Sequence, residues 1–88
     1  MEIARTTVKE KLAACANILG EVSSVYTWNG EITEEKETAL LLKTSNKLVM
    51  KLTERVKALH SYDCPCITAL NIVDGNADYL TWIKQETL

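Results

Sequence analysis

The dipeptide Asn29-Gly30 constrains this chain more than any other feature. A type I′ turn needs φ > 0 at both central residues, and Asn-Gly meets that need at low cost, so residues 22–44 read as one long antiparallel hairpin. The outgoing arm carries Val22, Val25, Tyr26, Thr27 and Trp28, residue types that suit a pleated, half-buried surface. The return arm crosses Glu31, Glu34, Glu35, Lys36 and Glu37 and ends in Leu40-Leu41-Leu42. Three leucines in a row do not alternate, so that part of the arm is expected to be covered on both faces. The acidic stretch cannot be buried, so the tip is expected to project into solvent or against another chain. A two-stranded ribbon is marginal alone, and the rest of the chain must pack on it.

The remaining segments supply that packing. Residues 1–14 read as a helix, with Ile3, Ala4, Val8 and Leu12 at helical spacing. No N-cap signal precedes it. Leu19-Gly20-Glu21 reads as a short bend before the hairpin. Thr44-Ser45-Asn46 is a cluster of capping residues. Leu48, Val49, Leu52, Val56 and Leu59 then form one stripe of a second helix, which is expected to end near His60, ahead of Pro65. Residues 66–73 read as a last strand. Asp74-Gly75-Asn76 reads as a turn and cap for a terminal helix whose Tyr79, Leu80 and Ile83 face one way. The order is helix, strand, strand, helix, strand, short helix. With one strand placed in front it becomes βαββαβ, an α+β, ferredoxin-like plan with helices on one face of an antiparallel sheet. Residues 1–88 are expected to form one domain.

Composition limits the function classes. The net charge is −2, and Lys and Arg are scattered, whereas a nucleic-acid binder needs a basic stripe. No run approaches the ~18 apolar residues of a membrane helix. The first residues lack the apolar core of a signal peptide, so a cytoplasmic location is expected unless a leader has been removed. Three cysteines do not close a disulfide framework, and reduced thiols in a reducing compartment are expected.

A set of motifs carries a family resemblance. Leu12-Ala13-Ala14-Cys15-Ala16-Asn17 comes first. Tyr26-x-Trp28-x-Gly30-x-Ile32 and Leu42-Lys43-Thr44 follow. His60-x-Tyr62-x-x-Pro65, Gly75 and Tyr79-Leu80-x-Trp82 complete the set. In this order and spacing the chain resembles the CutA divalent-cation-tolerance family over nearly its whole length. The resemblance implies a ferredoxin-like subunit in a tight homotrimer, with the long hairpin contributing strands to intersubunit sheets. It also implies a role in tolerance of copper and other divalent metals, without an established catalytic activity. The architecture is similar to that of PII-type signalling proteins, which gives the alternative of a structural or signalling trimer with a small ligand at its subunit interfaces.

Three departures from the family pattern bear on the site. Members begin with a strand and a short loop before the first helix, whereas this chain begins inside the helix. An upstream strand outside this sequence is the favoured explanation, with filling by another chain or a rearranged sheet as alternatives. Ser61 and Cys66 stand where the family usually has a proline and a glutamate. Asn71 stands where it usually has a proline.

The residues that could carry chemistry cluster in His60-Ser61-Tyr62-Asp63-Cys64-Pro65-Cys66. In extended backbone Cys64 and Cys66 share one face, and two thiolates beside an imidazole suit Cu(I) or Zn(II). The other reading makes Cys66 a small buried residue and His60 a cap at the end of the second helix. Cys15, among alanines, reads as packing or, from the resemblance, as a copper ligand near a subunit boundary. Cys15, His60, Cys64 and Cys66 are therefore the candidate metal ligands, for copper or another divalent metal. Lys43 follows three leucines and needs a carboxylate such as Glu37, or a ligand contact in an intersubunit cleft shared with Tyr62. Tyr26, Trp28 and Trp82, with Tyr79, are expected to anchor the core and the trimer interface. No nucleophile stands at motif spacing from His60, so an enzyme is not expected. The expected partners are other copies of the chain and a metal ion or small ligand, with no nucleic acid and no membrane.

Overall fold

The computed structural model describes residues 2–61 and 65–88. Its elements are α1 (Glu2–Lys9), β1 (Cys15–Trp28), β2 (Glu31–Lys43), α2 (Val49–Leu59) and α3 (Ala77–Gln85), with a 3₁₀ turn at Asn46–Leu48 leading into α2. The described residues make an α+β arrangement built on one antiparallel pair, β1 with β2. The turn residues Asn29 and Gly30 have φ of 51° and 79°, as the Asn-Gly signal requires.

The hairpin is longer than the sequence indicates. β1 starts at Cys15, and the bend expected at Leu19-Gly20-Glu21 is a β-bulge inside the strand. Ile18 pairs with Leu40 and Gly20 with Ala39, leaving Leu19 unmatched, and Gly20 takes φ 90°. One extra residue switches the side-chain alternation. Beyond the bulge Val22, Tyr26 and Trp28 therefore share a face with Cys15 and Asn17. Leu42, on the other face, packs against the buried cluster of Leu12, Ala13, Leu52 and Val56, joined by Ile3 and Ile67. Leu41 points away from that cluster and is 48% exposed, so the three leucines are not covered on both faces within one chain.

The first helix stops earlier than the apolar spacing predicts. Lys11 takes a left-handed φ of 61°, its N–H donates to Val8 O at 3.0 Å, and the Leu12 N–H donates to Thr7 O at 3.0 Å. These two bonds form a Schellman cap with lysine where glycine is usual. Leu12 is thereby turned into the core, 6% exposed. Thr7 is fully buried, and its hydroxyl donates to Ile3 O at 2.8 Å.

The polar cluster before α2 acts through tertiary contacts. Ser45 makes no side-chain cap bond; its hydroxyl meets Thr87 Oγ1 at 2.9 Å. Thr44 Oγ1 donates to Leu12 O at 2.7 Å. Both tie the end of β2 to neighbouring segments. The predicted stripe of α2 is observed, with Leu48, Leu52 and Val56 buried. The predicted cap of α3 is observed too: Asn76 Oδ1 accepts from the Asp78 N–H at 2.9 Å, and Ile83 is buried.

Residues 66–73 correct the sequence reading. They carry no strand ladder, because no strand of the described residues lies alongside them. Leu70 and Val73 are 89% and 94% exposed. The described chain is accordingly extended, 45 × 26 × 21 Å, with a radius of gyration of 14.5 Å. A compact chain of this length has a radius near 12 Å.

Candidate functional site

Small side chains leave an open concavity between α1 and the start of β1. Ala4 on α1 and Ala14 and Ala16 at the start of β1 leave space between helix and strand. The resulting open cleft, about 670 Å³, is lined also by Val8, Ile18, Cys15 and Trp82 of α3. Arg5 and Lys9 border it, one helical turn apart, and also border a neighbouring hollow with Glu2 and Glu10. Among the described residues no ion pair involves Arg5 or Lys9. Glu10 is committed elsewhere, to Arg55.

Aromatic contacts set the α3 side of the cleft. Tyr79 and Trp82 stack with centroids 5.7 Å apart and planes 22° from parallel. Lys43 Nζ lies 5.5 Å from the Tyr79 centroid, within cation–π range. The lysine thus meets an aromatic face, and not Glu37, which lies across the hairpin from Val22.

The predicted ligands are scattered. Cys15 is half-buried at the cleft wall, and its thiol donates to Asn17 Oδ1 at 3.7 Å. His60 caps α2, its backbone N–H bonded to Val56 O at 2.9 Å. Cys66 is exposed. Cys64, like Tyr62, lies outside the described residues. Among the described residues no three His, Cys, Asp or Glu side chains come together as a metal-holding group. The described donors of one chain therefore do not by themselves form a metal centre. Trp28 at the hairpin tip and Trp82 at the cleft are 57% and 39% exposed, and Tyr26 is half-buried.

Sequence reasoning missed Arg5 and Lys9. Their i, i+4 spacing was the available signal, but like charges at that spacing ordinarily mark a solvated face. Sequence reasoning also missed the Glu10–Arg55 pair, where Arg55 Nε and an Arg55 terminal nitrogen donate to the two carboxylate oxygens at 2.8 Å each. Hydrogen bonding to Arg55 holds the Glu10 carboxyl below its usual range, with the guanidinium charge adding to the effect.

Comparison with known proteins places this arrangement in a family. The model of the CutA1 divalent ion tolerance protein family matches residues 1–86. The Divalent-cation tolerance protein CutA of Thermus thermophilus is 49% identical over 85 residues, which cover 97% of this chain and 82% of that protein. Protein CutA of Mus musculus is 42% identical over 86 residues, 98% of this chain but only 49% of that longer protein. Among solved structures, the Thermus thermophilus divalent cation tolerance protein superposes with a TM-score of 0.95 at 49% identity, covering 98% of this chain and 84% of that one. CutA1 of Oryza sativa gives a TM-score of 0.95 at 45% identity, covering 99% and 80%. The α+β, ferredoxin-like fold class read from the element order holds. Since both the sequence match and the superposition run through essentially all of the chain, it belongs to the CutA1 divalent ion tolerance family.

Proposed function

We propose that this protein is a non-enzymatic divalent-cation tolerance protein that works as a homotrimer and takes copper or another divalent metal through cysteine thiols. The observation that carries the reading is the whole-length family match, in which relatives are named for divalent-cation tolerance. The exposed surface supports assembly. The chain exposes 6895 Å², whereas a compact monomer of its mass exposes about 5,200 Å². The surplus is of the order of one standard protein–protein interface. Much of it is apolar: Val25, Trp28, Ile32, Leu41, Leu70, Ile72 and Val73 are all uncovered.

On this reading Cys15, His60, Cys64 and Cys66 are the metal ligands, and a complete set draws on Cys64 or on a second copy. Thiolate donors favour Cu(I) or Zn(II) over hard cations. A reducing compartment such as the cytoplasm, where thiols stay reduced and able to bind metal, goes with this reading. The test is anaerobic titration of reduced protein with Cu(I) against a competing chelator. Binding is expected to weaken in Cys64→Ser/Cys66→Ser, and equal affinity would remove that site. Native mass on the same sample is expected to give three subunits.

A second reading, a PII-like structural or signalling trimer, is favoured by the lack of a three-donor cluster among the described residues and by the apolar cleft at Trp82. On this reading Lys43 and Tyr62 would contact a small ligand in a cleft between subunits. It predicts that Cys15, His60 and Cys64 can be replaced without loss of ligand binding.

A further inference from the structure

Asn29 combines the conditions for spontaneous loss of its side-chain amide. A glycine follows it, so no side chain shields the backbone nitrogen that must attack. A Cβ built on Gly30 would have no heavy atom within 4 Å, so nothing packs over that side of the turn. Both residues are exposed. Among the described residues neither the Asn29 carboxamide nor the Gly30 N–H has a hydrogen-bond partner. The strand ladder closes one step back, at Trp28 with Glu31.

The other asparagines of the chain each lack one of these conditions. Asn17 and Asn71 precede β-branched isoleucine and Asn46 precedes lysine, so each attacking nitrogen has a side chain beside it. Asn76 precedes alanine, but its Oδ1 accepts from the Asp78 N–H at 2.9 Å and holds the cap of α3. Asp74 also precedes a glycine, yet its carboxylate is a poor leaving group and already accepts from the Gly75 N–H at 2.8 Å.

We propose that Asn29 is the deamidation site of this protein, with the backbone nitrogen of Gly30 as the nucleophile. The nitrogen gives up its proton and bonds to Asn29 Cγ. The Cγ–Nδ2 bond breaks, and ammonia leaves with that proton, closing a five-membered succinimide. Water then opens the ring. Attack at Cγ returns the normal main chain with aspartate at residue 29; attack at the main-chain carbonyl carbon gives isoaspartate. No oxidant or cofactor is consumed. Either product adds one negative charge to a chain of net charge −2, beside Glu31.

The hairpin separates the two products. Asp-Gly suits the same two-residue turn, so the aspartate form keeps the pairing of Trp28 with Glu31. Isoaspartate adds a methylene to the main chain within the loop, and loop length sets register, so the pairing at the tip is lost. The turn also governs the rate. Ring closure requires the Asn29 Cα–C bond to rotate until the Gly30 nitrogen faces Cγ, which takes Asn29 out of the left-handed turn. The reaction therefore proceeds from molecules whose tip has opened locally.

Peptide mapping of the parent protein, held folded in heavy-oxygen water at mildly alkaline pH, tests the proposal. Heavy oxygen is expected at residue 29, with isoaspartate detected there by an isoaspartate-specific methyltransferase. Conversion is expected to be at least about tenfold faster at Asn29 than at any other asparagine, the ratio that a barrier difference of about 1.4 kcal/mol gives. Unfolding in urea is expected to speed it further; an equal rate would remove the turn's control of the reaction. Asn29→Gly retains a residue that suits the turn and is expected to bring the methyl-acceptor capacity of the whole protein to background. In the folded parent, a rate at Asn29 no greater than at Asn46 overturns the proposal. Label at residue 29 that appears only in urea overturns it too, because the folded tip is then inert.

Discussion

Arg55 on α2 holds Glu10, just past the end of α1, through two parallel hydrogen bonds of 2.8 Å across 45 residues of sequence. This bidentate geometry is the strong form of a surface ion pair. It fixes the end of α1 over α2 and so fixes one wall of the cleft. The Glu10 carboxyl is held below its usual range by those bonds. A carboxyl with a depressed folded-state pKa contributes stability above its unfolded value, and that stability is lost as pH falls through the folded value. Glu10→Gln is therefore expected to lower the melting temperature slightly at neutral pH. The difference from the parent is expected to shrink below about pH 4.3, the ordinary value for an unfolded glutamate. Thermal melts of both proteins across that range check the sign; a gap that widens in acid would contradict it.

The cap of α1 offers a stabilising substitution. Lys11 sits at φ 61°, a conformation that costs an L-residue other than glycine roughly 1–2 kcal/mol. Glycine removes that cost but adds freedom to the unfolded chain, worth about 0.4–1 kcal/mol. Lys11→Gly is expected to gain about 0.5–1 kcal/mol in urea denaturation. A loss would mean that the lysine side chain carries a contact of its own.

The parts of this fold that were legible in the sequence are those that local chemistry decides. Asn29-Gly30 demands two positive φ angles and adopts them. The α2 stripe and the Asn76 cap follow from spacing and from one side-chain oxygen. The illegible parts depend on partners distant in sequence. β1 was read seven residues short because the bulge at Leu19 breaks the period of two. The end of α1 was read late because its stop residue is a lysine. Residues 66–73 have strand composition, yet composition cannot supply a neighbour with which to form a ladder. At the candidate site, Cys15 and Trp82 were legible as residues. The cleft that joins them was not, because it is the space left by Ala4, Ala14 and Ala16 on separate elements.

Gly20 separates backbone strain from steric crowding. A Cβ at this position would have no heavy atom within 4 Å, so Gly20→Ala introduces no clash. Its φ of 90° nevertheless lies where an alanine is strained. The expected cost is about 1–3 kcal/mol, all of it conformational, and the alternative open to the chain is to expel the bulge. Expulsion would slip β1 by one residue and move Tyr26 and Trp28 to the face that Leu42 occupies. Chemical denaturation reads the cost, and quenching of Trp28 fluorescence by a soluble quencher reads the slip. A variant of unchanged stability would show that the bulge does not depend on glycine.

Trp28 tests whether the exposed hairpin is an interface or a solvated arm. It is 57% exposed beside the turn and contributes no residue to the buried cluster. In a solvated arm Trp28→Ala changes stability within about 0.5 kcal/mol and leaves the sedimentation coefficient as it was. In an interface a large aromatic that becomes buried is the residue type that dominates association, and truncating it costs about 2 kcal/mol or more of binding. That loss is close to thirtyfold in the dissociation constant for one contact, by the ordinary relation of about 1.4 kcal/mol per tenfold. A ring loses it at every interface, so its assembly should shift steeply with concentration. Sedimentation across a hundredfold dilution series, roughly enough to span such a shift, separates the two outcomes. Identical profiles for Trp28→Ala and the parent would return the hairpin tip to solvent.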